Sequence, residues 1–234
     1  MYVELPPSPD LAPFIKCFWL FDNNSGADLN YTTLPDGCLE LLVFYQHGLL
    51  KSISVFGIQS EAYDILMPAH ELKIGIRLRP LAKEYYLDKC TTLDRFADFT
   101  KTLSLQHFSE LVSADIRAMS PAIDNRKQLL FDLLQKHAGN IEVESLATQC
   151  FWSSRQINRY FNKQLGLSLK SYCNILKCYA SYKEIKAGDL NPDTGFYDQS
   201  HFIREIKKHT GTTPKKLLKN EAQRYVQFNS PEDV

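Results

Sequence analysis

The sequence predicts an α+β protein in two parts, a small β-rich barrel or sandwich with trailing helices over residues 1–122 and an all-helical region over 123–234. Three observations carry this. Short β-branched and aromatic runs broken by turn residues fill the first third. From Pro80 onward the apolar period lengthens from two to that of a helix. The charge also changes sign: residues 1–125 hold 10 Lys+Arg against 16 Asp+Glu, whereas 126–234 hold 17 against 11, and 150–219 alone hold 13 against 5.

In the first part the strand-like runs are Phe14–Phe21, Cys38–Tyr45, Ser52–Phe56 and Leu72–Arg79. The last alternates, with Leu72, Ile74, Ile76 and Leu78 on one face and Lys73, Gly75, Arg77 and Arg79 on the other, which predicts a half-buried strand with a solvated polar face. Asn23–Gly26 and Pro35-Asp36-Gly37 have turn chemistry. After Pro80, helical spacing covers Leu81–Leu87, Leu103–Met119 and Arg126–His137, the last with a Leu129, Leu130, Leu133, Leu134 stripe. Ser120-Pro121 interrupts it and places a linker near 120–125. The tail after Tyr225 is expected to fray.

Composition excludes several classes. Hydrophobic residues at 44% and charged residues at 23% describe a globular chain, and no run reaches the roughly 18 apolar residues of a membrane span. The start Met-Tyr-Val-Glu-Leu-Pro-Pro has no basic flank or apolar core, so the expected location is the cytoplasm, with no membrane partner. The six cysteines stand singly, several in apolar surroundings, and read as small buried hydrophobes in a reducing compartment. The histidines show no metal-ligand spacing; neither a metal nor a cofactor is expected.

The C-terminal part carries the sharpest signal. A short helix near Val143–Cys150 is followed by a turn at Phe151-Trp152 and then Ser153-Ser154-Arg155-Gln156, where Ser153 as N-cap and Gln156 three residues later fit a capping box. The helix it opens has an apolar stripe of Ile157, Tyr160, Phe161 and Leu165, an opposite stripe of Arg155, Asn158, Arg159 and Asn162 with no acid on it, and a glycine stop at Gly166. Arginine forks match guanine and asparagine amides match adenine in the major groove. Any surface helix has a polar face, but a preceding short helix, an acid-free stripe and a second similar helix favour a DNA reader. That second helix, Gln199–Thr210, follows Asp198 as N-cap; it faces Phe202 and Ile206 inward and Gln199, Ser200, Ile203, Arg204, Lys207 and Lys208 outward. A helix over Leu169–Lys186 joins the two, with a Leu169, Tyr172, Cys173, Leu176, Tyr179, Ala180 stripe, and Pro214 opens a further helix.

These segments resemble the DNA-binding domain of the AraC/XylS family of bacterial transcription regulators. The resemblance is carried by Ser145-Leu146-Ala147, Ser153–Lys163, Gly166–Tyr172, Gly195–Arg204 and Ile206–Pro214, about 90 residues in two motifs. It implies a seven-helix double helix-turn-helix domain whose contacts to double-stranded DNA fall on Ser154, Arg155, Gln156, Asn158, Arg159, Asn162, Lys163, Gln199, Ser200, His201, Arg204, Lys207 and Lys208. One departure stands out: where the family has a short helix before the second reader, residues 188–195 contain two glycines and an Asn-Pro step, so the second unit is expected to be truncated. Pro9–Trp19, Leu34–Leu41 and Gly75–Pro80 resemble the sensor domain fused to such readers, implying a cupin-like β-structure for effector binding or dimerisation. On that analogy Asp36, Glu40, Arg77 and Arg79 are candidate effector contacts, against the plainer reading of a turn at 35–37 and a solvated face at Arg77 and Arg79. RNA polymerase, a small-molecule effector and a second copy of the chain are the further partners the resemblance allows.

Three other readings stand against a DNA reader. A cupin-like enzyme needs clustered ligands, and the β-rich part offers only His47 and His70, 23 positions apart; a reactive-cysteine sensor needs cationic flanks that Cys17 and Cys38 lack. A protein-interaction module with a basic docking face is the remaining alternative; in that case binding to the acidic partner survives excess DNA.

Overall fold

The computed structural model describes residues 1–89, 104–119, 122–219 and 225–226. Seven strands come first: β1 (Tyr2–Leu5), β2 (Ile15–Asp22), β3 (Leu29–Thr33), β4 (Leu39–Gln46), β5 (Leu49–Phe56), β6 (Tyr63–Met67) and β7 (Glu71–Leu78). Five of them form one antiparallel sheet in the order β1-β2-β7-β4-β5, and β3 pairs only with β6 as a separate two-stranded ribbon. The sheet is therefore open: of the expected barrel or sandwich no closed barrel is formed, because among the described residues no ladder joins the ribbon to either sheet edge.

One face of the sheet is covered by helices and the other by the ribbon. Phe18, Leu41, Val43, Ile74, Ile76 and Leu78 pack on the first face against helices α1 (Leu81–Tyr85) and α2 (Leu105–Met119). On the opposite face Trp19 and Leu42 flank Gly75, where a Cβ would lie 2.6 Å from Trp19 Cε2 and 2.7 Å from Leu42 Cδ2; glycine lets both side chains lie across β7. Lys73 and Arg77, expected on a solvated face, are 3% and 4% exposed. The alternation of β7 was legible, but the cover over its polar side comes from β3 and β6, distant in sequence.

The remaining helices are α3 (Asn125–Lys136), α4 (Val143–Gln149), α5 (Ser154–Leu165), α6 (Leu169–Lys186), α7 (Gln199–Thr210) and α8 (Pro214–Lys219). Leu130, Leu133 and Leu134 of α3 are buried, whereas Leu129 is 38% exposed. The buried face of α6 is broader than the expected stripe, adding Ile175, Cys178, Tyr182 and Ile185, because α6 packs on α3, α5, α7 and α8. One apolar core runs from the sheet through α1 and α2 into α3–α6, so no break in packing follows the sequence boundary at 122. Thr32 forms a parallel bridge with Tyr225, so the chain returns to the ribbon after α8. Cys90, the start of the expected helix at Leu103, positions 120–121 and the tail beyond 226 lie outside the described residues.

Candidate nucleic-acid interface and the cavity beneath the ribbon

The first helix-turn-helix unit is α4, a turn and α5. Phe151 takes a left-handed conformation (φ 53°), and the Trp152 amide donates to Ala147 O at 3.1 Å, closing the turn. The capping box is complete: the Gln156 amide donates to Ser153 Oγ at 3.2 Å, and Gln156 Oε1 accepts from the Ser153 amide at 2.8 Å. Ile157 and Phe161 are fully buried, and the Phe161 ring lies 5.4 Å from Tyr172 of α6 and 5.7 Å from Phe131 of α3. Glu84 of α1 pins the helix flank through Tyr160 Oη at 3.1 Å and through Lys127 Nζ. One face of α5 is thus held rigidly.

Its other face is open. Arg155, Arg159, Asn162 and Lys163 are exposed, and among the described residues Arg155, Arg159 and Lys163 have no ion pair. Asn158 and Asn162 donate to the carbonyls of Ser154 and Asn158 at 3.0 and 2.9 Å, leaving their amide oxygens available. Ser154 is half-buried, and the Gln156 oxygen is committed to the cap.

The second unit lacks its leading helix, as the Asn-Pro step and glycines predicted. Residues 187–198 form an irregular loop tied to α6 by Lys177 Nζ donating to Gly195 O at 3.0 Å and by a Ser181–Thr194 hydroxyl pair at 2.9 Å. Helix α7 is capped by Asp198 Oδ1, which accepts from the His201 amide at 2.7 Å. Gln199, Ser200, Arg204, Lys207 and Lys208 are exposed, and Ile203 is 36% exposed. His201 is half-buried, edge-on to Phe196 at 5.5 Å and 3.9 Å from Glu205, so its ring turns toward the helix layer. Glu205, the single acid of α7, accepts from Asn174 of α6 at 3.0 Å and is drawn away from the open face.

The sheet half touches the reader directly. Lys16 Nζ donates to Tyr179 Oη of α6 at 2.6 Å. Gly37 (φ 77°) in the predicted turn lies against α6, where a Cβ would sit 3.0 Å from Leu176. The β5–β6 loop holds the end of α7: the Ala62 amide donates to His209 O at 2.7 Å and Ser60 O meets His209 Nδ1.

Beneath the ribbon lies a cavity of about 350 Å³. Two of the four candidate effector residues, Glu40 and Arg77, line its floor, and Asp36 joins them in one ion cluster that extends behind it. Arg77 donates to Glu40 at 3.0 Å and to Glu4 at 2.9 Å, and Asp36 Oδ2 lies 3.5 Å from Arg77 and 3.7 Å from Lys16. The fourth, Arg79, stands apart at the end of β7, where its charge acts on Asp132 and Tyr172. Glu4, Lys16, Lys73 and Trp19 were missed; the signal for them was a lone lysine and a tryptophan inside the apolar run of β2. His47 and His70, 23 positions apart in the sequence, have their rings 5.5 Å apart. The thiol of Cys17 is buried and pushed up to about 12, unsuited to a nucleophile near neutrality.

Burial drives the Glu40 carboxyl up to about 7, with Arg77 opposing and Asp36 reinforcing. The folded state therefore holds a proton that the unfolded chain releases near 4.5. Stability falls as pH rises through that window, by about 3 kcal/mol from this group. Urea unfolding between pH 4.5 and 8 is expected to show this slope in the wild type and a flatter profile in Glu40→Gln; equal slopes would refute the assignment.

With this geometry in place, comparison with known proteins finds relatives for both parts of the chain. Residues 3–98 match a domain of unknown function (DUF6597) and residues 146–220 match a helix-turn-helix domain. The arabinose operon regulatory protein of Escherichia coli (strain K12) is 24% identical over 127 residues, covering 50% of this chain and 44% of that protein. The C-terminal part of the chain carries an AraC-type helix-turn-helix domain. A second relative by the same comparison is the uncharacterized HTH-type transcriptional regulator YbfI of Bacillus subtilis (strain 168), 28% identical over 185 residues, covering 77% of this chain and 66% of that protein. The chain thus spans less than two thirds of either relative's length. Among solved structures, ToxT from Vibrio cholerae matches at 11% identity over 93% of this chain and 96% of that chain, with a TM-score of 0.42.

Proposed function

We propose that the chain is a sequence-specific DNA-binding transcription regulator that acts in the cytoplasm by binding and not by catalysis. The observation that supports this is α5: one face locked by Ile157 and Phe161, the other presenting Arg155, Arg159 and Lys163 with no acidic partner. The AraC/XylS reader in the chain supports the same reading. The first unit supplies base readout, and α7, lacking its supporting helix, contributes phosphate contacts through Arg204, Lys207 and Lys208. The sheet half, in hydrogen-bond contact with α6 and α7, is the control module.

Selection of binding sites from random double-stranded DNA at two salt concentrations tests this. An enriched motif retained at the higher salt is expected. Binding that salt abolishes and that enriches nothing would leave only a basic docking face. Within the selected motif, Arg159→Ala is expected to cost about 1–3 kcal/mol at one base position and relax its preference. Arg204→Ala should weaken all sequences alike and lower the salt slope by about one. An Arg204→Ala variant that relaxes a base position as strongly would overturn the division of labour.

A further inference from the structure

The cavity beneath the ribbon has walls that favour one charge class. Seven rings line it, those of Tyr2, Trp19, Phe21, Tyr31, Phe44, Phe56 and Tyr63. Among the described residues the ion cluster whose Glu40 and Arg77 line the cavity is short of positive charge: Glu4, Asp36 and Glu40 share Lys16 and Arg77, and Asp64 adds a further carboxylate to the lining. The shortage is visible atom by atom. Arg77 Nε serves Glu40 at 3.0 Å and stands 3.5 Å from Asp36, the Lys16 ammonium is drawn to Tyr179, and Asp36 Oδ2 is left buried without a hydrogen bond. The remaining cation of the cavity, Lys73, is already held by Glu71 at 3.1 Å and Tyr31 Oη at 3.2 Å.

We infer that this cavity binds a small apolar organic cation, an alkyl- or arylammonium, with its charge against Glu40 and its body among the aromatic rings. Such a ligand completes the floor's charge balance and gains ring-face attraction to an ammonium in a desolvated site. An anion would have to displace Glu71 from Lys73 and would meet the surplus carboxylate. The inference deepens the control-module reading and rests on it for its regulatory meaning.

Glu40 adds a second signature. The groups facing it are Glu4 and Tyr2 on β1, Cys17 on β2, Asp36 in the β3–β4 turn, Tyr31 and Tyr63 on the ribbon and Arg77 on β7. Burial keeps Tyr2, Cys17, Tyr31 and Tyr63 neutral around pH 7, and Arg77 stays charged. A permanently charged ligand must expel the Glu40 proton below pH 7, so its affinity falls as the pH drops.

Calorimetric titration of the full chain without DNA tests this using phenyltrimethylammonium, its uncharged isostere tert-butylbenzene, and benzenesulfonate. The cation is expected to bind at least tenfold tighter than either competitor at pH 8 and to lose up to tenfold per pH unit below 7. Glu40→Gln should remove that advantage while leaving tert-butylbenzene unchanged. Equal binding of the three, or preference for the sulfonate, would overturn the proposal, and the isostere comparison needs no variant to fold. The readout is independent of the site-selection experiment, so failure of DNA reading and failure of cation binding are separately visible.

Discussion

Arg77→Ala is expected to destabilise the protein by about 3–5 kcal/mol at pH 8, enough to unfold much of a marginal population at 37 °C. Arg77 lies at the centre of β7, 4% exposed, and is the cation that both Glu4 and Glu40 hold at hydrogen-bond distance. Removing it leaves three carboxylates around Lys16 alone, with two of their bonds unmade. The penalty is therefore that of unpaired buried charge, beyond the packing lost with the side chain. Two comparisons separate these contributions. Arg77→Met keeps most of the volume and should lose nearly as much; adding Glu40→Gln should recover part of the loss, giving a coupling energy of about 1–3 kcal/mol. The deficit should also shrink at pH 5, where Glu40 is protonated. Chemical denaturation of the wild type, the three single variants and the double variant at both pH values reads all of this. Additive effects of Arg77→Met and Glu40→Gln would mean that the cluster acts through shape alone.

Local signals and long-range ones differed sharply in how far they could be read. Helices α5, α6 and α7 fall where Ser153 with Gln156, Gly166, Asp198 and Gly211 placed them, because caps and stops act within a few residues of the chain. The missing helix before α7 was equally legible, since Pro192 and its glycine neighbours forbid it locally. The ribbon was not. Strands β3 and β6 are short, partly exposed and paired across about thirty residues, and neither carries an apolar run longer than three residues. Missing the ribbon misassigned the polar face of β7, which is why Lys73 and Arg77 read as solvated and the cavity went unseen. The same limit applied to the floor cluster, whose members Glu4, Lys16, Asp36, Glu40 and Arg77 come from four strands and a turn and share no spacing that a linear pattern could show.

The continuity of the core gives the second large effect its functional weight. Gly139→Ala is expected to cost about 2–5 kcal/mol, from left-handed strain of about 1–2 kcal/mol and overpacking of about 1–3 kcal/mol. Gly139 ends α3 with φ 74°, its amide donating to Leu134 O at 2.8 Å. A Cβ there would stand 2.4 Å from the Cys173 carbonyl oxygen and 2.9 Å from its Cα, both backbone atoms of α6. No rotamer change relieves such a contact, so α3 must move off α6. Phe131 on α3 and Tyr172 on α6 are the rings that grip Phe161, and displacing them loosens the buried side of α5. Gly166→Ala is the internal control: φ is 72° and nothing lies within 4 Å of its Cβ, so it should show the conformational cost alone. Thermal unfolding should place Gly139→Ala about 10 °C below the wild type and Gly166→Ala only a few degrees below. At temperatures where all three are folded, Gly139→Ala should also bind the selected DNA motif more weakly than Gly166→Ala. Equal losses for the two variants would show that the close approach of α3 to α6 yields without cost and that the reader does not depend on it.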